Sequence, residues 1–90
     1  MMLSEQRLRE VLEKVEGWTD VIIAKEGSKY VAVVVSPAFE GKEESDRQSE
    51  VWRLLLDNLT EVEQVQVSFV FTNTPEEKAQ AELDAAAGSV

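Results

Sequence analysis

The sequence predicts an α+β fold, a two-layer α-β-β-α-β-α chain with a three-stranded mixed sheet. Three observations lead there. The apolar, largely β-branched run from Tyr30 to Val35 stops at Ser36-Pro37, because proline has no amide hydrogen for a sheet ladder and holds its predecessor extended. Gly27-Ser28 separates this run from an earlier one at the spacing of a two-residue hairpin turn. Segments with apolar residues at helical spacing precede, separate and follow the strands.

Leu3 to Glu16 reads as an amphipathic helix, with Leu8, Val11, Leu12 and Val15 on one stripe. Ser4 is its N-cap, with Leu3 and Leu8 as a hydrophobic staple. Gly17 takes the left-handed position just past the helix end, and Trp18 folds back on the last turn as a core aromatic. Thr19 to Lys25 is the first strand and Lys29 to Val35 the second. The turn pairs Glu26 with Lys29, Ala24 with Val31 and Ile22 with Val33. One face of the hairpin then carries Ile22, Ala24, Val31, Val33 and Val35, and the other Val21, Ile23, Tyr30, Ala32 and Val34. Both faces are apolar, so a single helical layer leaves one of them for something else to cover.

After the loop from Phe39 to Lys42, Ser45-Asp46-Arg47-Gln48 has the form of a capping box. The helix it opens runs to about Asn58, with Val51, Trp52, Leu54, Leu55, Leu56 and Leu59 as its apolar stripe. Thr60 to Gln64 turns the chain. Val65, Val67, Phe69 and Phe71 then alternate with Gln66, Ser68, Val70 and Thr72, which predicts a third strand with the first set on its buried face. A right-handed crossover makes that strand parallel to the second. Thr74 as cap, Pro75 at the first helical position and Glu77 as capping-box partner start a last helix that continues to about Ala86. Its stripe, Ala79, Leu83 and Ala86, is thin, so it docks weakly, and Gly88-Ser89-Val90 is expected to fray.

Ninety residues, 43% hydrophobic and 30% charged, read as one domain over residues 1–90, able to bury roughly 60–65% of the surface of its unfolded chain. With no cysteine and no histidine, the chain supplies no disulfide, no thiol nucleophile and none of the usual transition-metal ligands or neutral-pH acid-base groups. Nor is there an Asp-x-Asp-x-Asp-Gly loop for calcium. No apolar run approaches the ~18 residues of a membrane helix, and Met1 to Glu5 has no signal-peptide pattern. A cytoplasmic protein without a membrane partner is expected. Net charge is −9, and residues 41–90 hold four basic residues against eleven acidic ones. That balance opposes binding to a phosphate backbone.

The element order, with Ser36-Pro37-Ala38-Phe39-Glu40-Gly41-Lys42 followed by Asp46-Arg47-Gln48 at a helix start, resembles the BolA-like family. Ser36, Phe39, Gly41 and Lys42 match that family's Ser-x-x-Phe-x-Gly-Lys loop, and Arg47 matches the first arginine of its Arg-His-Arg signature. Gln48 stands where the family has its histidine, and Ser49 where it has the second arginine. The resemblance implies a KH-like α/β scaffold. It also implies a monothiol glutaredoxin as partner, with an iron-sulfur cluster shared through that histidine and a second ligand from the hairpin region. This chain has neither ligand.

For Arg47 and Gln48, a helix cap and a solvated side chain are preferred to a binding role. Lys42, Glu43, Glu44 and Asp46 read as a charged loop rather than a metal site. An enzyme is the least supported class. No nucleophile has a base beside it in the sequence, and Gly17, Gly27, Gly41 and Gly88 form no phosphate-binding loop. The leading expectation is a small non-enzymatic adaptor or regulatory domain without cofactor or metal. It would bind a protein partner, or a second copy as a homodimer, through its sheet or the loop, with Phe39, Lys42, Arg47 and Gln48 as candidate partner-binding residues. The alternative is a KH-like nucleic-acid-binding transcriptional regulator, although the chain has no Gly-x-x-Gly backbone clamp.

Overall fold

In the computed structural model, which describes residues 2–88, the chain runs α1 (Glu5–Leu12), β1 (Asp20–Glu26), β2 (Lys29–Val35), a 3-10 turn (Pro37–Phe39), α2 (Glu44–Asn58), α3 (Glu61–Gln64), β3 (Val67–Asn73) and α4 (Pro75–Gly88). The strands form one sheet in the order β1-β2-β3, antiparallel across the hairpin and parallel between β2 and β3. This is the predicted α+β mixed sheet.

The hairpin has the expected register: Glu26 faces Lys29, Ala24 faces Val31 and Ile22 faces Val33. Gly27 supplies a positive φ of 63° to the turn, a conformation open to a residue without Cβ. Ser4 caps α1 by accepting from the Arg7 amide at 3.1 Å. Leu3 and Leu8 are both buried, as a staple requires.

The first helix is shorter than its apolar spacing suggests. It ends at Leu12, and the chain tightens through three-residue hydrogen bonds, Lys14 to the Val11 carbonyl (3.0 Å) and Val15 to the Leu12 carbonyl (3.1 Å). Val15 still reaches the core. Gly17 is left-handed, with φ of 69°, and the Trp18 amide turns back to the Val15 carbonyl at 3.2 Å, but its side chain does not join the core. The Thr19 amide donates to the Val35 carbonyl at 2.7 Å, drawing this segment into the strand entry, and Trp18 is exposed.

A second correction concerns β3. Tyr30 pairs with Val67, whereas Val31 pairs with Phe69, so Ser68 is an extra residue that shifts the register. The side chains change face at that point. Val67, Val70 and Thr72 are buried, while Phe69 and Phe71 stand exposed on the opposite face, and Val65 lies outside the strand and exposed. The alternation read straight through had placed the two phenylalanines in the core.

α2 begins at Glu44, one residue before the expected cap, with Glu43 as an N-cap that makes no side-chain hydrogen bond. Ser45 is therefore not a cap. The turn from Thr60 to Gln64 contains α3, closed by a capping box in which Glu63 accepts from the Thr60 amide (2.9 Å) and Thr60 accepts from the Glu63 amide (3.2 Å).

The core lies between the helices and one face of the sheet. Leu8, Val11, Leu12, Val51 and Leu55 pack with Val21, Tyr30, Ala32, Val34, Val67 and Val70. Each such aliphatic side chain contributes roughly 1.5–3 kcal/mol on full burial. α4 is capped by Thr74 and Glu77 as expected, with amide-to-side-chain bonds of 2.8 and 3.1 Å. Beyond Lys78 its side chains are exposed through Ala86, and Leu83 is 65% exposed. Gly88 is still helical; the rest of the segment expected to fray, Ser89-Val90, lies outside the described residues.

Candidate interaction surface

The loop between β2 and α2 is built from the inside. Ser36, fully buried, accepts from the Ala38 amide (3.1 Å) and donates to the Glu16 carbonyl (2.6 Å), while its own amide donates to Asn73 (2.9 Å). It ties the strand end to the segment after α1 and to β3. Phe39 is fully buried as well and belongs to the core cluster. Gly41 turns the loop with φ of 78°.

Arg47 is not a solvated side chain. Only 7% exposed, it donates through Nε to the Lys42 carbonyl (3.0 Å) and through Nη1 to the Thr72 carbonyl (3.2 Å). Both terminal nitrogens reach the Glu77 carboxylate, at 2.7 and 3.3 Å, and the guanidinium lies 5.8 Å from the Phe39 ring centre. One side chain thus fastens the loop, β3 and α4 together in a forked geometry that lysine could not reproduce. Arg47 raises no chemistry of its own. The Glu77 carboxyl is held below its ordinary value first by Arg47 and then by the Thr74 amide.

Gln48 donates to the Glu44 carboxylate (3.0 Å) and to the Val70 carbonyl (2.8 Å). Since Ser36 takes the Asn73 carbonyl on the β2 side, the carbonyls of Val70 and Thr72 face the outer edge of β3, where Gln48 and Arg47 close them. At the other edge strand Arg9 takes the Val21 carbonyl at 2.7 Å. Lys42 is partly exposed and paired with Glu50 at 2.8 Å, which raises its pKa. Of the four residues singled out from the sequence, Phe39 and Arg47 are therefore internal supports. Lys42 and Gln48 lie nearer the surface, each already engaged.

The sheet face that the sequence leaves for a partner to cover is the one turned away from the helical core. Ile22, Phe69 and Phe71 are 44%, 43% and 50% exposed there, and Val31 and Val33 are half-buried beside them. The Phe69 and Phe71 rings meet edge to face at 4.7 Å. Val35 continues the same row but is buried where the first turns of α4 cross the end of the sheet. A cleft of about 300 Å³ lies at that crossing, lined by Thr19, Asp20, Val35, Pro75, Lys78, Ala79 and Glu82. Its charges are spent on each other, Lys78 lying 3.5 Å from Asp20 and 3.0 Å from Glu82. Two apolar hairpin faces were legible in the sequence; the two phenylalanines were not, because the bulge at Ser68 carries no signal in the alternation.

No family model and no curated protein sequence matches this chain. Solved structures do. BolA1 from Arabidopsis thaliana superposes with a TM-score of 0.65 at 24% identity, covering 86% of this chain and 98% of that one. The BolA domain of SufE1 from the same plant gives 0.64 at 25%, over 83% and 98%. The fold is that of the BolA proteins. A BolA protein homologue from Coxiella burnetii, at TM-score 0.69 and 21% identity over 87% and 99% of the two chains, has it too. Gln48, which the sequence resemblance sets where the family has its histidine, offers an amide that is already bound to Glu44 and Val70. The chain has no histidine or cysteine to replace it, and the described residues hold no acidic group of metal-binding geometry. The residues present do not fit an iron-sulfur cluster.

Proposed function

We propose that this BolA-like chain is a non-enzymatic adaptor or regulatory domain that binds another protein through the open face of its sheet. The observation that carries this reading is the cluster of Ile22, Phe69 and Phe71, between 43% and 50% exposed on a face with no helix over its centre. Contiguous apolar surface of a few hundred Å² on a folded chain is often functional. Binding by strand addition is disfavoured at β3, because Arg47 and Gln48 occupy its outer carbonyls. The loop contributes to this reading as a support: Phe39 and Arg47 set its shape, and Lys42 and Gln48 form its outer surface.

The test is site-specific photocrosslinking in cells, with the reactive group at position 71 and, as a comparison, at position 42. Crosslinks to one defined protein from position 71, lost when Val33→Lys is added in a chain that still folds by circular dichroism, are the expected outcome. Crosslinks from position 42 alone would move the interface to the loop.

A further inference from the structure

Resting on the reading of the open face as the binding surface, we infer that its occupant is a basic amphipathic helix of another protein. Three observations select this partner over a second copy or an extended peptide.

The first is size. The exposed parts of Ile22, Phe69 and Phe71 amount to roughly 300 Å² of apolar surface. With Val31 and Val33 added, two such faces pressed together would bury roughly 600–800 Å², below the ~1,200–2,000 Å² of stable protein–protein interfaces. An area of that size suits a weaker, transient complex with a single helix, whose three or four anchors at i, i+3, i+4 and i+7 rest on an apolar floor.

The second is backbone chemistry. An extended peptide gains affinity from main-chain hydrogen bonds at a free edge. Here side chains from the helices hold the Val70, Thr72 and Val21 carbonyls. The face, by contrast, presents side chains alone, as the opposite face does to α1 and α2.

The third is charge. Asp20, Glu26 and Glu82 frame the face against Lys29 and Lys78, and Lys78 is already shared by Asp20 and Glu82. The whole chain carries −9. Two copies at that charge repel, whereas a cationic segment is drawn in by the field of the whole chain, and lysine stems along the helix flanks can cover apolar surface while their ammonium groups stay in water.

The probe is a synthetic amphipathic peptide of about 18 residues, five helical turns, with leucine on one stripe and lysine elsewhere. Two companions accompany it: one with glutamate in place of lysine, and one of the same composition with the stripe scrambled. Titration into the full chain, followed by amide chemical shifts, should perturb residues around Ile22, Val33 and Phe71. Affinity should fall at least about tenfold with the glutamate peptide, with the scrambled peptide and in the Phe71→Lys chain. Because Phe71 is half exposed, Phe71→Lys should keep the wild-type spectrum, and Ile22→Lys serves as a second variant on the same face. Equal binding by the scrambled peptide, or undiminished binding in both variants, would overturn the inference. So would sedimentation as a dimer that Phe71→Lys dissociates, which assigns the face to a second copy. If position 71 crosslinks a protein in cells but the lysine peptide does not bind, the helical partner fails and the adaptor reading stands. If neither occurs, both fail.

Discussion

Arg47 makes hydrogen bonds to three separate stretches of chain, and its partners Thr72 and Glu77 lie 25 and 30 residues away. That distance is why its role was invisible in the sequence, where only its place near a helix start could be read. Removing it leaves the buried Thr72 carbonyl without its donor and the Glu77 carboxylate with the Thr74 amide alone, so Arg47→Ala should cost about 2–4 kcal/mol in urea unfolding. Arg47→Lys should recover less than half of that loss, because one ammonium cannot replace the fork. The same contact sets an acid limit. Glu77 is held below its ordinary value near 4.5 by Arg47 and the Thr74 amide, and Glu63 likewise, first by the Thr60 amide and then by Arg7. A carboxylate with a lowered folded-state pKa stabilises the fold fully above its unfolded value, and that contribution is lost as pH falls through the folded one. The urea midpoint should therefore drop as pH is lowered from the ordinary value near 4.5. Glu77→Gln should flatten that acid-side slope; an unchanged slope would mean that the Arg47 pair does not persist in solution.

The hairpin was readable to the residue because its register depends on a local turn, Gly27-Ser28, and on nothing distant. β3 was not, because one extra residue at Ser68 exchanges its faces and a bulge in a parallel pair leaves no compositional mark. Read straight, the strand hides Phe69 and Phe71; bulged, it hides Val70 and Thr72. The two arrangements separate cleanly by experiment. Val70→Asp puts an unpaired carboxylate among Leu55, Val34 and their neighbours in the core and should abolish cooperative unfolding. Phe69→Asp, on the open face, should shift the midpoint only slightly. If the order of damage is reversed, the bulge is absent. α4 makes the opposite case, since its weak docking was legible from the thin Ala79, Leu83, Ala86 stripe. It is anchored by its first turn through Glu77 and Lys78. Because Leu83 is 65% exposed, Leu83→Ala should change stability by less than about 0.5 kcal/mol, the range of surface substitutions. The amides of the second half of α4 should exchange far faster than those of α2.

Charge decides what kind of macromolecule this small scaffold can approach. The KH-like element order by itself invites a nucleic-acid reading, but a fold is a weak warrant for function, and the physics of phosphate binding runs against it here. Affinity for a nucleic acid scales with the number of phosphates neutralised by lysine and arginine. Residues 41–90 offer four such groups against eleven carboxylates, and three of the four, Lys42, Arg47 and Lys78, are already paired with Glu50, Glu77 and Glu82. Recruiting any of them to a phosphate breaks an ion pair, and for Arg47 it also undoes the joint between the loop, β3 and α4. A single-strand binder would need stacking aromatics along a positive groove. Phe69 and Phe71 could stack, but the side chains that frame them are Asp20, Glu26 and Glu82 as well as Lys29 and Lys78. Fluorescence anisotropy with labelled duplex and single-stranded oligonucleotides at about 0.15 M salt, where the screening length is ~8 Å, should therefore show no saturable binding. Lowering the salt should not rescue it, because the long-range field of a chain at −9 becomes more repulsive as screening is removed. A complex that tightens at low salt, and is lost on Lys29→Glu, would show instead that the open face carries a positive path through this lysine.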